Sequence, residues 1–339
     1  MMKSTLPGRM TQLYFAFLLC LIPLALSACQ PQATPTATEA SSPTEAPLPT
    51  PTEAETEIVP TQINEILAAN SLTLTRLTDS PGDEYHTVWS PDGQWLLFTY
   101  NKDGEMSIGT YHFVDQSWAL LNAELDGDLY LEWSPDGSQF TFDAYGSDGR
   151  SAIFLADFPA DLASSLSYQA LAIPSPAFMS SISPDGASVL VYVDNQLQLY
   201  DLASESLTPI PNTESCWHPK FSPDGTQILF TTSDGSHQDI YALTLADNTI
   251  EKLTDSSATF DRAQWSPDGS HIVYVAELDG YTEIWLTDLA AGETLELFGF
   301  PEDSDSYVSM PEFSPDGQSL VISYQGDLWL VDISGINWN

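Results

Sequence analysis

The sequence has 339 residues, 42% of them hydrophobic, so the chain can build a full-sized core. It contains 48 acidic and 8 basic residues, which give a formal net charge of −40. A surface this acidic repels phosphate backbones, which argues against nucleic acid as a partner, and it also repels anionic lipid headgroups.

Residues 1–28 have the pattern of an export signal. Two basic residues come first, and an uncharged apolar run over residues 11–28 follows. The segment Leu26-Ser27-Ala28-Cys29 then resembles the lipobox of bacterial lipoproteins. The resemblance implies that Cys29 is lipidated and becomes the new N-terminus, and two or more acyl chains would hold the protein at a membrane. A signal anchor, or an ordinary signal with a chance cysteine, is the alternative.

Cleavage before Cys29 would remove two basic residues and no acidic ones, leaving 48 acids against 6 bases, a balance of −42. The mature chain would then contain two cysteines, Cys29 and Cys216. Because lipidation uses Cys29, no intrachain disulfide is available, and we expect Cys216 to be a small buried side chain.

Residues 29–60 are predicted to be the lipidated cysteine and a disordered tether. The part from residue 30 to residue 60 contains seven prolines, five glutamates and no aromatic residue. Such a composition cannot bury enough apolar surface to offset the entropy of ordering. The reach of this segment is about 30 Å as a flexible coil and about 95 Å as polyproline II. Residues 61–70 form a short lead-in that could be one helical turn or two.

A repeated motif organises the rest of the chain. Ser-Pro-Asp-Gly occurs six times, and the repeat period of 39–49 residues is typical of a propeller or solenoid. In every copy a bulky apolar residue precedes the motif, an alternating apolar run follows it, and a turn and a third apolar run come next. The motif itself has turn chemistry, because proline pre-sets φ, aspartate bonds the backbone and glycine accepts positive φ. The six copies begin at Ser90, Ser134, Ser183, Ser222, Ser266 and Ser314.

The two ends of the repeat region predict how the ring closes. After Ser314 the chain has room for three strands only, whereas a lone strand-like segment at residues 71–78 precedes the first repeat. We therefore predict an all-β fold over residues 71–339, a six-bladed β-propeller with four antiparallel strands per blade. The N-terminal strand, at about residues 71–78, closes the last blade and removes the exposed sheet edge.

These repeats resemble the TolB-type, WD40-like propeller family, whose hallmark is a bulky residue, Ser-Pro-Asp-Gly, an aliphatic strand and an Asp-Gly turn. The resemblance covers about four-fifths of the chain and implies the fold, whereas it says little about function. TolB itself carries an α/β domain before its propeller and works with a peptidoglycan-associated lipoprotein. Here about ten residues separate the predicted tether from the propeller, so the chain is TolB-like and a Tol-Pal role is a further alternative.

The first strand of each propeller blade lines the central channel, and it begins on the face opposite the Ser-Pro-Asp-Gly turns. Residues four or five positions before each motif serine are therefore predicted to converge at the channel mouth. A mixed polar and aromatic set of this kind suits a small ligand or an inserted peptide end. The alternative is that these side chains only fill the channel. Of these, His86, His218, Asp261 and Arg262 are chemically capable. The predicted channel-mouth residues are Tyr85, His86, Tyr130, Trp217, His218, Asp261 and Arg262.

No cofactor is predicted. Ca²⁺ needs several oxygen ligands in one place, and Glu302, Asp303 and Asp305 are weak candidates for such a site. These residues lack the spacing of an EF-hand loop, so a solvated acidic rim is the other interpretation. No pair of histidines has the spacing of a zinc site.

The sequence favours a membrane-anchored binding scaffold on the outer face of the cytoplasmic membrane or in the periplasm. Its partner would be a protein, a peptide or a glycan, and we expect the protein to be a monomer. No G-x-S-x-G elbow is present, and an enzyme is not predicted. The alternative is a propeller enzyme that acts on an extracellular polysaccharide as a lyase or hydrolase. Six basic residues in the mature chain are few for holding an anionic substrate.

Overall fold

The computed structural model describes residues 72–336, apart from residues 122, 124, 128, 147, 234–236, 255–257 and 302–309. The predicted signal, lipidation site, tether and lead-in (residues 1–70) lie outside the described residues, and so do Glu302, Asp303 and Asp305. Within the described part, all regular structure is β-strand, and no helix there has the length and apolar character needed to cross a membrane.

The described residues form 24 strands. In chain order they are β1 (Thr73–Arg76), β2 (Asp83–Trp89), β3 (Trp95–Lys102), β4 (Glu105–His112), β5 (Ser117–Leu120), β6 (Leu131–Trp133), β7 (Gln139–Tyr145), β8 (Ser151–Asp157), β9 (Tyr168–Ala170), β10 (Ala177–Ile182), β11 (Ser188–Val193), β12 (Gln196–Asp201), β13 (Ser206–Glu214), β14 (Trp217–Phe221), β15 (Gln227–Ser233), β16 (Gln238–Thr244), β17 (Thr249–Lys252), β18 (Thr259–Trp265), β19 (His271–Leu278), β20 (Tyr281–Asp288), β21 (Glu293–Pro301), β22 (Glu312–Phe313), β23 (Ser319–Tyr324) and β24 (Asp327–Asp332).

The strands form six antiparallel sheets of four, and each sheet is one blade of a β-propeller. Five blades use four consecutive strands, in the orders β2-β3-β4-β5, β6-β7-β8-β9, β10-β11-β12-β13, β14-β15-β16-β17 and β18-β19-β20-β21. They are numbered here as blades 1 to 5. The predicted six-bladed fold is confirmed.

Blade 6 has the order β22-β23-β24-β1, so the N-terminal strand supplies its outermost member. β1 pairs antiparallel with β24, from Thr73 opposite Asp332 to Arg76 opposite Trp329. The ladder continues beyond the strand, since the amide of Leu77 donates to the carbonyl of Leu328 over 2.8 Å. The predicted closure is therefore confirmed, and the two ends of the propeller are joined by backbone hydrogen bonds.

The six Ser-Pro-Asp-Gly turns form a second closed ring, on one face of the propeller. In blade 4, for example, Ser222 Oγ donates to Asp224 Oδ1 over 2.7 Å, and the glycine that follows has a φ of +70°. A β-carbon on that glycine, Gly225, would lie 3.5 Å from the ring of Pro184 in the preceding blade's turn. The same neighbour relation closes the circle, because Gly93 of blade 1 lies against Pro315 of blade 6. Glycine at this position provides both the positive φ and the space for the next turn.

The core lies between neighbouring blades, where the sheets pack face to face. Between blades 1 and 2, for example, Leu97 and Ile108 pack with Phe140 and Phe142, all of them fully or almost fully buried. The bulky residue before each turn also connects blades, since the indole of Trp133 donates to the carbonyl of Val88 over 3.3 Å. This interleaving makes a rigid ring whose inner strands β2, β6, β10, β14, β18 and β22 surround the channel.

Candidate functional site at the channel mouth

The inner strands share a backbone irregularity near the channel mouth. In four blades the pairing of the first two strands shifts register at the same repeat position, which is the signature of a β-bulge. The residue four positions before the motif serine then has a φ between +49° and +56°. Since L-residues with side chains rarely adopt this conformation, the bulge costs conformational energy in order to redirect those side chains. They are His86, Met179, His218 and Arg262.

With Tyr130 and Met310 at the equivalent positions of blades 2 and 6, these residues make up what we call the mouth ring. Five of its six members, all except Arg262, line one small cavity in the channel. The volume in this cavity that is open to the centre of a water molecule is about 20 Å³. That is room for a water molecule or two, and it is far too little for an organic ligand. Among the described residues, the mouth ring therefore encloses space for water only at this point of the channel.

His218 and Asp261 form a hydrogen-bonded pair at this surface. His218 Nδ1 lies 2.7 Å from Asp261 Oδ1, and the Arg262 amide donates to the same oxygen over 2.8 Å. Burial raises the pKa of Asp261, but the nearby His218 and Arg262 outweigh burial and hold that pKa at about 2. Asp261 is therefore a carboxylate at all physiological pH values, and it fixes the orientation of the imidazole. His218 Nε2 is left facing the hydroxyl of Tyr130, 3.5 Å away.

His86 lies across the ring and is stacked on Tyr130, with ring centroids 4.1 Å apart and an interplanar angle of 23°. Its pKa is lowered to about 3, first by burial and then by electrostatic interactions with His218, Arg262 and Lys220. His86 is therefore a neutral imidazole. Its Nδ1 is buried and has no hydrogen-bond partner among the residues that the structure describes.

A buried charge cluster lies one layer deeper, and sequence reasoning missed it. Its members are Glu132, Lys220 and Glu312, each two positions before a motif serine, in the alternate blades 2, 4 and 6. Lys220 Nζ donates to Glu132 Oε2, and only 10% of the lysine side chain is exposed. Burial lowers the pKa of Lys220, but Glu132 and Glu312 more than offset that effect and raise it. The lysine is therefore charged.

Glu312 is the unusual member of the buried charge cluster. Burial raises its pKa to about 8, Lys220 opposes that rise, and Glu132 adds to it. Glu312 Oε2 has no hydrogen-bond partner among the described side chains. The signal that could have found the cluster is the alignment of the six repeats, in which charged residues stand at one inward-facing position.

The predicted mouth residues thus separate into three groups. His86, Tyr130 and His218 line the cavity. Asp261 and Arg262 lie beside His218 and hold it in place, with Arg262 Nε 3.9 Å from Asp261 Oδ2. Tyr85 and Trp217 precede the bulges and lie outside the cavity lining: the hydroxyl of Tyr85 donates to Met106 Sδ over 3.4 Å, and Trp217 is 43% exposed.

The remaining predicted features are the free cysteine and the possible metal sites. Cys216 is buried, with 1% of its surface exposed, and burial raises the pKa of its thiol to about 12, so it is an inert core residue. Among the described residues, no cluster of three or more histidine, cysteine, aspartate or glutamate side chains has the arrangement of a metal site. The weak calcium candidates Glu302, Asp303 and Asp305 lie outside the described residues.

Comparison with known proteins supports the resemblance to TolB-type propellers. The model of the TolB β-propeller domain matches residues 175–335. An uncharacterised protein of Agrobacterium fabrum is 27% identical over 257 residues, which cover 68% of this chain and 81% of that protein. The chain spans much less of two other relatives, 33% of dipeptidyl-peptidase 5 from Porphyromonas gingivalis and 27% of TolB from Alcanivorax borkumensis.

Solved structures show the same fold at low sequence identity. One described as TolB from Agrobacterium tumefaciens superposes with a TM-score of 0.58 at 22% identity, and the match covers 77% of this chain and 96% of that chain. An oligogalacturonate lyase in complex with manganese gives a TM-score of 0.52 at 17% identity, with coverages of 76% and 92%. These likenesses show the fold, which proteins of different description share. The repeats, the closed six-bladed ring and the domain match over residues 175–335 together support a TolB-like propeller.

Proposed function

We propose that the protein is an extracytoplasmic, membrane-anchored binding module whose partner docks over the channel mouth. The observation that carries this proposal is the mouth ring. Four bulges hold His86, Met179, His218 and Arg262 in a conformation that L-residues avoid. Strained backbone conformations cluster at sites where side chains must be held in a fixed orientation, and here the strain recurs in four blades at one surface.

The size of the channel supports docking from outside. The described cavity of about 20 Å³ has room for water, which favours a partner that contacts the rim and the polar groups just below it. A propeller rim is wide and rigid, as expected for a surface that binds a protein, a peptide or a glycan. The balance of −42 in the mature chain favours a partner with a cationic surface.

The location follows from the N-terminal sequence. The lipobox ending at Cys29 would anchor the protein through acyl chains, and residues 30–60 would hold the propeller some distance from the bilayer. We place the protein on the outer face of the cytoplasmic membrane or in the periplasm. The acid-rich, proline-rich tether and the resemblance to TolB support this placement.

A second candidate is an enzyme acting on an extracellular polysaccharide. The observation that favours it is the carboxylate-oriented histidine, because Asp261 holds His218 through Nδ1 and leaves Nε2 beside the Tyr130 hydroxyl in the cavity, and an oriented imidazole of this kind is what a general base requires. Incubation of the full chain with oligogalacturonate, followed by ultraviolet detection of unsaturated sugar products, separates the two candidates. Product formation that His218→Asn abolishes would favour the enzyme.

The binding proposal is tested by capture from a solubilised membrane fraction, with wild type and a His218→Asn/Arg262→Asn double variant as baits. Asparagine is chosen because it tolerates the positive φ at both positions. We expect the double variant to lose at least about 90% of the captured partner, since each charged contact contributes a factor of ten or more when its partner is left unpaired.

Val114→Ala is the matched control, since Val114 is 70% exposed at the β4–β5 turn, on the face of the Ser-Pro-Asp-Gly turns. It should capture as much partner as wild type. Thermal unfolding of all baits shows that they are folded. Undiminished capture by a folded double variant would contradict docking at the mouth.

A further inference from the structure

An exposed aromatic patch lies beside the mouth, at the boundary of blades 3 and 4. It consists of the exposed Phe178 and Trp217, together with the buried Tyr192 that packs against Trp217. Phe178 and Trp217 stand at the same repeat position, five before the motif serine, and they are 36% and 43% exposed. Two large aromatic side chains kept in solvent at equivalent positions of neighbouring repeats are not explained by the core.

The patch is rigid. Tyr192 stands directly opposite Phe178 in the β10–β11 ladder, so their side chains are on the same face of the sheet. The ring of Tyr192 stacks on Trp217, with centroids 5.6 Å apart and an interplanar angle of 26°. The Tyr192 hydroxyl donates to Asn195 Oδ1 over 2.8 Å, which fixes the supporting ring. The ring of Trp217 thus packs against Tyr192, while part of its surface is exposed to solvent.

Carboxylates lie at the same end of blade 3. Asp194 is exposed in the β11–β12 turn, two residues after Tyr192. Glu214 is exposed at the end of β13, opposite Gln196 in the ladder and three residues before Trp217. An aromatic face with acidic groups beside it attracts a cationic side chain through both the ring quadrupole and the carboxylate charge.

We propose that this aromatic patch binds lysine or arginine side chains from an extended basic segment of a protein partner. The inference deepens the proposed function and rests on it, because it assigns the chemistry of the partner that docks at the mouth. Among aromatic side chains tryptophan gives the strongest cation–π attraction, and the exposed face of Trp217 is available for it. The strong negative charge of the whole chain would steer such a segment to the surface.

The probe is a fluorescein-labelled octapeptide of alternating glycine and arginine, and its binding to the full chain is followed by fluorescence anisotropy at near-physiological salt. We expect Trp217→Ala to weaken binding by about tenfold and Trp217→Tyr by less than about threefold, as cation–π energies predict. The same peptide with citrulline in place of arginine keeps the shape but lacks the charge, and it should bind at least about tenfold more weakly.

Tyr168→Ala is the matched control, because Tyr168 is 40% exposed on β9, the outermost strand of blade 2. It should bind the arginine peptide like wild type. Equal binding by wild type and Trp217→Ala would overturn the inference, and so would equal binding of the arginine and citrulline peptides. If the inference fails while capture still depends on His218 and Arg262, the docking site stands and only its assigned chemistry is wrong.

Discussion

Replacing Lys220 with methionine is expected to lower the free energy of unfolding by about 3–5 kcal/mol, the usual effect of removing one partner from a buried ion pair. Methionine preserves most of the side-chain volume, so the loss comes from charge. The carboxylate of Glu132 would then lose its ammonium partner in a channel where little water can reach it. Glu312, which also interacts with Lys220, would lose the one nearby charge that favours its ionised form.

Urea denaturation at pH 7 measures this effect, with Lys102→Met as the control. Lys102 is exposed at the end of β3, and its replacement should change stability by less than about 0.5 kcal/mol. Adding Glu132→Gln to Lys220→Met should restore part of the loss, because the second change removes the unpaired charge. A Lys220→Met protein within about 1 kcal/mol of wild type would show that the buried charge cluster does not act as a unit.

The second large effect is a loss of stability as pH rises, and Glu312 is its source. The pKa of Glu312 is about 8 in the folded protein, whereas the ordinary pKa of a glutamate is 4.5, so between these pH values the folded state keeps a proton that the unfolded chain releases. The stabilisation is therefore fully present below about pH 4.5 and is lost as pH rises to about 8. Between pH 5 and pH 9 the loss should be about 4 kcal/mol, since each unit of pKa difference corresponds to 1.36 kcal/mol.

Comparison with Glu312→Gln isolates this contribution. The amide mimics the protonated carboxyl and does not titrate, whereas other perturbed groups such as Glu84, whose pKa burial raises to about 7, are common to both proteins. Urea unfolding at several pH values should give curves that converge near pH 5 and separate toward pH 9, where the wild type is the less stable. Parallel curves would contradict the assignment of Glu312.

The sequence predicted the fold because the fold depends on local signals that recur. Each Ser-Pro-Asp-Gly turn specifies its own geometry, and the six copies fix the number of blades. Closure followed from counting strands at both ends, and β1 pairs with β24 as expected. These features need no knowledge of which side chains touch across the ring.

The site was predicted only in outline, because bulges change the direction of side chains. In a regular strand, successive side chains alternate between the two faces of the sheet, which would place Trp217 and His218 on opposite faces. The register shift between Trp217 and Lys220 instead turns His218 into the cavity and leaves Trp217 against Tyr192 at the rim. A bulge depends on pairing across two strands, and no single-strand pattern reports it.

The buried charge cluster was missed for a different reason. In a strand that alternates, a lone glutamate or lysine normally indicates a solvent-facing position. The members of the buried charge cluster do not face solvent. They face one another across the channel from alternate blades, and they are Glu132, Lys220 and Glu312. Their charges compensate only in the closed ring, which a reading of separate repeats does not show.

The central claim is that the working surface is the mouth, on the face opposite the Ser-Pro-Asp-Gly turns. Site-specific photocrosslinking in intact cells tests it most directly, with a photoreactive phenylalanine analogue in place of Phe178 at the rim or of Val114 on the other face. Both positions are exposed, at 36% and 70%. We predict a crosslinked partner from position 178 and none from position 114. Crosslinking from position 114 with none from position 178 would contradict the claim.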